Sequence, residues 1–453
     1  MKKLVVFMID ALCSYDIDLM KKMPNFSKII NEGSYVHHMH TVWPALTYCC
    51  HTSIVTGTYC NRHGIINNEK MNRGYKIEMQ DLSGRITDED LRYSDFKDKT
   101  ACWYSKKSDV KVPTILDYAR ENGLTTCSLA WPVSAGGDYT FNWPMIVPYH
   151  YEGEHPEYWL GNGNMTQNIM DRYFWRYKRF QMGALSDLDG LTMSLAPDII
   201  RDYGQPDVML IKMCDLDSAR HSYGVYSQQA KDQLKKHDNE FGVIYESIRR
   251  YGDLENTNFV INGDHGQTDL KYCYNMNKAL RDAGFIEIDD NGRLISYKAI
   301  AHSACLTCYI TLSDPNDETL KEEVKQFLEK LKEDPIVKLR YVYDSKQAEK
   351  IYHVAGPFDF IVESDNPLSF NDNLDSDELW YEIVPGSHKY GVATHGGSPE
   401  REENTLFIAS GPSVKKGVVV EHGNMVDEAV TMAKMIGFDM PNTDGNVIKE
   451  LLK

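Results

Sequence analysis

At 453 residues and 42% hydrophobic, the chain is long enough for one large core with insertions or for several domains, and a charged fraction of 25% is ordinary for a globular protein. The formal net charge of -17 and pI near 5.4 argue against a nucleic-acid groove, since a surface tracking a phosphate backbone needs surplus Lys and Arg. An anionic phosphate would bind only where metal charge overcomes that acidic field.

Lys2 and Lys3 precede Leu4–Ile9, which superficially resembles a signal peptide. The run is shorter than a usual h-region, ends in Asp10 and lacks a small-residue cleavage pattern, so it reads as a buried first strand. Further strands are expected at Ser34–Val42, Leu124–Ala130, Asp207–Cys214, Asn258–Ile261 and Thr405–Ala409. Helices are expected at Pro24–Asn31, Thr114–Asn122, Gln228–Tyr251, Asn277–Ala283 and Met425–Ile436, several with Pro at the start or Gly past the end. The alternation predicts an α/β protein with a mostly parallel sheet. Two polar or aromatic stretches, Asn67–Ser108 and Tyr139–Asp189, read as insertions; the second holds Tyr149, Tyr151, Tyr158, Trp159 and Trp175. Residues 291–390 carry their own strand-helix-strand pattern and are expected to form a cap lobe, leaving 1–290 and 391–453 as the catalytic core. No run approaches the roughly 18 apolar residues that span a bilayer. Ten Cys, with Cys49 and Cys50 adjacent, suit a reduced cytoplasm better than a disulfide framework. The expected location is therefore cytoplasmic, without a membrane or nucleic-acid polymer as partner. Cys305-Leu-Thr-Cys308 lacks the second pair of a zinc ribbon and reads as strand packing.

Residues with ligand chemistry fall just after predicted strands: Asp10, Asp217 with His221, and Asp264 with His265. His395 follows in a loop. Ligand sites of open α/β sheets gather at the carboxyl ends of strands, so these would converge. Each has a plainer reading. Asp10 could cap a helix, and Thr47 could cap the predicted helix Tyr48–Thr56. Asp217 and His221 could form a surface hydrogen bond across one helical turn. Asn262–Gly266 could be a tight turn, although its glycines would give the backbone angles that let Asp264 and His265 reach one point. Taken together, three Asp and three His offer the mixed oxygen and nitrogen donors that a pair of zinc-like ions prefers. A hydroxyl at a helix start beside such a pair can be ionised and used as a nucleophile.

The chain resembles the type I phosphodiesterase/nucleotide pyrophosphatase branch of the alkaline phosphatase superfamily. The resemblance rests on Val5–Asp10, Trp43–Tyr48, Ser53–Gly57, His63–Asn68, Pro113–Asp117, Trp131-Pro132, Asp217–His221, Gly263–Gly266 and His395-Gly396. It implies an alkaline-phosphatase-like α/β/α sandwich and a division of ligands. Asp217, His221 and His395 would hold one Zn2+; Asp10, Asp264 and His265 would hold the other, with Thr47 touching the second ion. Thr47 would attack phosphorus to give a phosphothreonine, which is then hydrolysed. Asn68 would donate its amide to a phosphoryl oxygen, and Tyr48 would stack on a base or aryl leaving group. The chain departs from the family in carrying Cys49-Cys50 where Pro-Asn is usual. A sulfatase is rejected, because Cys60-Asn-Arg62 lacks the proline and spacing that formylglycine conversion needs. Two alternatives stay open: a phosphonate or phosphomonoester hydrolase using the same site, and a catalytically weak metal-dependent binding protein.

Overall fold

Leu4–Ile9 presents apolar side chains without alternation, which suits a strand covered on both faces. The computed structural model describes residues 2–69, 71, 106–145, 164–181, 187–292, 294–387, 391–401 and 404–453, and places this run as strand β1 (Lys3–Ile9) inside an eight-stranded sheet. The other strands are β2 (Ser34–His40), β3 (Thr126–Leu129), β4 (Phe141–Trp143), β5 (Val208–Met213), β6 (Thr257–Asn262), β7 (Thr405–Ser410) and β8 (Val419–Asn424). Their order is β8-β2-β7-β6-β1-β5-β3-β4, parallel throughout except where β7 runs against β6 and β2.

Side chains of β1 alternate between two cores, as the period of a strand requires. Leu4, Val6 and Met8 pack with the helices Thr47–Thr56, Ile115–Glu121 and Asp427–Ile436. Val5, Phe7 and Ile9 pack with Pro24–Glu32, Leu188–Tyr203 and Gln228–Tyr251 on the opposite face. The result is the expected α/β/α sandwich. Local signals set the helix ends: Pro24 occupies the first turn of its helix, and Thr114 forms a reciprocal capping box with Asp117. Two strands of this sheet were not expected. β4 is only three residues long, and β8 is a polar edge strand whose side chains alternate weakly.

A third core belongs to the lobe. Its four-stranded antiparallel sheet has the order Ala299–Ala304, Thr307–Leu312, Phe360–Ser364, Leu339–Asp344, backed by the helix Glu318–Lys330. Tyr274 and the helix Met276–Asp282 share this core, so the packing unit begins ahead of residue 291. Most of Asn67–Ser108, and Tyr149, Tyr151, Tyr158 and Trp159 of the second insertion, lie outside the described residues. Trp175 lies in the helix Gln167–Gln181 and is 58% exposed, so it packs neither the core nor a pocket. Cys308 is buried in its strand, whereas Cys305 sits in the hairpin turn with a left-handed backbone. The described cysteines are free thiols, and no described helix is long and apolar enough to cross a membrane.

Phe241 joins the sheet to its helical layer, its ring 5.5 Å from that of Phe7 and 5.9 Å from those of Phe26 and Phe259. Phe241→Ala should cost about 3–5 kcal/mol by leaving a cavity that the crossing rings cannot fill. Denaturant unfolding measures it, and a loss under about 1 kcal/mol would show that this layer contributes little.

Candidate metal centre and active site

Three strand ends deliver the carboxylates. Asp10 follows β1 directly, Asp264 lies two residues past β6, and Asp217 sits in the first turn of the helix Asp215–Tyr223 after β5. That last helix is anchored by Asp189, a buried carboxylate that accepts from the backbone N–H groups of Cys214 (2.6 Å) and Asp215 (2.9 Å). Gln267 donates to the Asp217 carboxylate and, at 3.2 Å, to its carbonyl. Gly263 is needed for space rather than for its backbone angle. Its φ is not positive, but a Cβ there would stand 2.0 Å from the Leu12 carbonyl oxygen. His395 comes from far along the chain, directly after a short strand, Ala393–Thr394, that pairs with Thr268–Asp269.

The ligand atoms gather into two groups: Asp217, His221 and His395, and Asp10, Asp264 and His265. The tautomers are set by the backbone. Nδ1 of His221 faces the Ala393 carbonyl at 2.6 Å, Nδ1 of His265 faces Gly266 at 3.0 Å, and Nδ1 of His395 faces Ala45 at 2.9 Å. Each Nδ1–H therefore donates outward and each Nε2 points inward, the arrangement that prepares an imidazole for a metal. Nε2 of His265 lies 3.2 Å from Asp10 and 3.3 Å from Asp264; Nε2 of His221 lies 3.3 Å from Asp217. The rings of His265 and His395 stack at 3.6 Å, bringing the two groups side by side.

The donors fit a cation. Asp10 Oδ1 and Asp264 Oδ2 are buried acceptors without a hydrogen bond. Burial works against a charge on His265, yet Asp264 and Asp10 push it up to about 10, so the space between them favours a positive charge. An ion taking that place would release a proton. Burial and the neighbouring His265 push His395 down to about 3, which keeps its lone pair available.

The plainer readings of Asp10 and Thr47 do not hold. Thr47 is the first residue of its helix; Leu46 is the cap, and no side chain caps it. The Thr47 hydroxyl instead meets His265 Nε2 at 3.0 Å, with its oxygen at the positive end of the helix dipole. Asp10 caps no helix and pairs with Lys212. The Asp217–His221 contact does exist, but it is one side of a larger group.

Sequence reasoning missed Lys212 and His51. Lys212 has a fully buried ammonium 2.6 Å from Asp10 Oδ2 and 2.9 Å from Cys214 Sγ. His51, one turn beyond Thr47, puts Nδ1 2.8 Å from the Thr47 carbonyl and 3.2 Å from Asp264 Oδ2. A Lys inside an apolar strand and a His inside a helix carry no signal until their neighbours are known. Asn68 and Tyr48 are in contact: the Tyr48 N–H donates to Asn68 Oδ1 at 3.0 Å, leaving the Asn68 amide hydrogens for another acceptor. Both line a cavity of about 440 Å³, together with Thr47, Asp217 and His395. Ser303, Ala304, Cys305 and Asp372 of the lobe form its opposite wall.

Burial pushes the Asp10 carboxyl up, but Lys212 and His265 outweigh it and hold Asp10 well below 3.8. A depressed carboxylate contributes stability that is present above its unfolded value and lost as pH falls through the folded one. In metal-free protein above pH ~4, Lys212→Met should therefore cost about 3–5 kcal/mol by stranding a buried charge. Unfolding in chelator tests this, and a loss below about 1 kcal/mol would show that the pair is not what offsets burial of Asp10.

Known proteins resemble this chain over most of its length. Residues 4–398 match the type I phosphodiesterase/nucleotide pyrophosphatase family. Ectonucleotide pyrophosphatase/phosphodiesterase family member 7 of Rattus norvegicus is 23% identical over 457 residues, covering 97% of this chain and 84% of that protein. The bis(5'-adenosyl)-triphosphatase of Homo sapiens is 25% identical over 265 residues, 58% of this chain and 46% of that one. Among solved structures, murine ectonucleotide pyrophosphatase/phosphodiesterase 5 superposes with a TM-score of 0.65 at 15% identity, with both chains covered in full. An inactive variant of that murine protein, in complex with AMP, superposes equally well. With the family match spanning both candidate ligand groups and the fold shared throughout, the chain belongs to the type I phosphodiesterase/nucleotide pyrophosphatase family of hydrolytic enzymes.

Proposed function

We propose that the protein hydrolyses phosphodiesters or pyrophosphates of nucleotide type through a phosphothreonine on Thr47, in a centre built for two divalent ions. The observation that carries this reading is the set of three Nε2 atoms held inward by backbone carbonyls, with the Thr47 hydroxyl 3.0 Å from one of them. Asp217, His221 and His395 would hold one ion; Asp10, Asp264 and His265 the other. The mixed oxygen and nitrogen donors favour Zn2+. When bound, the ions would lower the pKa of the attacking hydroxyl and neutralise the leaving oxygen.

The chain's own groups do the rest. Thr47 forms an Oγ–P bond as the bond from phosphorus to the leaving group breaks, and the leaving group departs with the threonine proton. Water then cleaves the Oγ–P bond and restores the hydroxyl. The helix beginning at Thr47 and the Asn68 amide face the charge that builds on the phosphoryl oxygens. Tyr48, buried beside the nucleophile, offers a ring for the leaving group. Among the described residues, Lys212 is the one Lys or Arg lining the cavity, and Asp10 engages it. The lobe contributes Asp372, an acid, to the wall. Among the described residues the cavity has no free cation and an acid opposite, which suits a diester better than a doubly charged monoester. The free thiols suit the cytoplasmic placement proposed with it.

Turnover of p-nitrophenyl diesters against monoesters, with metal analysis, tests the reading. Thr47→Ala should keep its metal and lose about 10³-fold or more in kcat, while Thr47→Ser, which retains the oxygen, keeps a good fraction. Near-normal turnover in Thr47→Ala would replace the covalent route by direct attack of water. Asn68→Ala should lower kcat on the order of 10²-fold with little change in KM, because the donor matters most when charge builds. A rise in KM alone would make Asn68 a binding residue.

A further inference from the structure

Outside the catalytic cavity, one other group of described side chains brings metal-ligand atoms together: His37, His38 and Glu421, on β2 and β8. The strands explain how two adjacent histidines share a face. Val36 and Met39 are both fully buried in one core, three positions apart where a regular strand would have two. Register against β7 shows the extra residue, since Phe407 stands opposite Val36 and Thr405 opposite Met39. A bulge of this kind re-aims side chains, and it turns His37 and His38 together, with ring centroids 4.2 Å apart.

Strand β8 follows the same spacing. Val420 packs against that core, and a Cβ on Gly423 would lie 2.7 Å from the Met39 sulfur, so positions 420 and 423 both face inward. Glu421 and His422 are left together on the outer face. Glu421 Oε1 comes within 3.4 Å of His38 Nε2 and 3.6 Å of His37 Nδ1. The His422 ring lies 5.4 Å from that of His38 and 5.5 Å from that of His40, parallel to the latter within 7°.

We propose that His37, His38 and Glu421 bind a divalent transition-metal ion that clips the edge strand β8 to β2. Two imidazoles and one carboxylate, with His422 alongside, select Zn2+, Ni2+ or Cu2+ over Mg2+ or Ca2+. The clip is independent of the catalytic ions. It would hold in place an edge strand that otherwise presents unpaired backbone groups to other chains.

The test compares full-length wild type with His37→Gln/His38→Gln after equilibration with Zn2+ and removal of the excess. The double variant should hold one equivalent less by elemental analysis, with diester hydrolysis unchanged. Equal zinc in the two proteins overturns the clip, whatever number the catalytic centre holds. If the double variant fails to fold, Glu421→Gln decides, because that side chain is 63% exposed. It should weaken one class of Zn2+ site by about tenfold or more in calorimetric titration. An unchanged isotherm in that variant also overturns the proposal.

Discussion

The carboxyl end of this sheet is governed by the crowding of carboxylates out of water. Asp10 and Asp264 are buried beside one another, and Asp217 is mostly so. Burying an unpaired carboxylate is costly unless positive charge or hydrogen bonds are supplied. The protein supplies part of this itself, with the Lys212 ammonium on Asp10 and the Ala11 N–H on Asp264 Oδ1 at 3.0 Å. The remainder is left to imidazoles whose outer nitrogens are tied to carbonyls. A site so arranged has stability and affinity for cations as two sides of one electrostatic fact.

Much of this was legible in the residues. Strands buried on both faces show as unbroken apolar runs, so β1, β5 and β6 could be located, and their polar successors Asp10, Asp217 and Asp264 stood out. Gln228–Tyr251 was legible for a similar reason, being long, amphipathic and closed by Gly252. What could not be read depends on partners distant in sequence. Lys212 matters only because β5 lies beside β1. His51 matters only because its helix starts at Thr47. Gly263 was noticed for the wrong reason: its role is room for the Leu12 carbonyl, which no local pattern encodes. β8 escaped notice because an edge strand with a shifted period lacks the alternation that marks a half-buried strand.

The lobe is bound to the core by hydrogen bonds around the loop that leads to Thr47. Trp43 Nε1 donates to Thr307 Oγ1 at 2.8 Å, and that hydroxyl donates to the Gly396 carbonyl at 2.6 Å. Tyr309 reaches the Ile66 carbonyl at 2.6 Å, and Asn67 donates to the Ser303 carbonyl at 3.2 Å. These contacts link the approach to Thr47, the segment before Asn68 and the loop of His395 through a single pair of strands. The lobe thus acts as the splint that sets the distance between Thr47 and His395, besides walling the cavity.

Strand β7 has a consequence for how such a chain is made. It lies between β6 and β2, yet it is contributed by Thr405–Ser410, after the whole lobe. Until that segment leaves the ribosome, β6 and β2 have no shared neighbour, and the Asp264 end of the sheet stays open along one edge. Pairings of such long sequence separation are slow to form and expose strand edges meanwhile. Premature termination before residue 405 would therefore yield an adhesive fragment in which β6 and β2 keep open edges. Strand β7 thus sets the moment at which the sheet of the nascent chain can close.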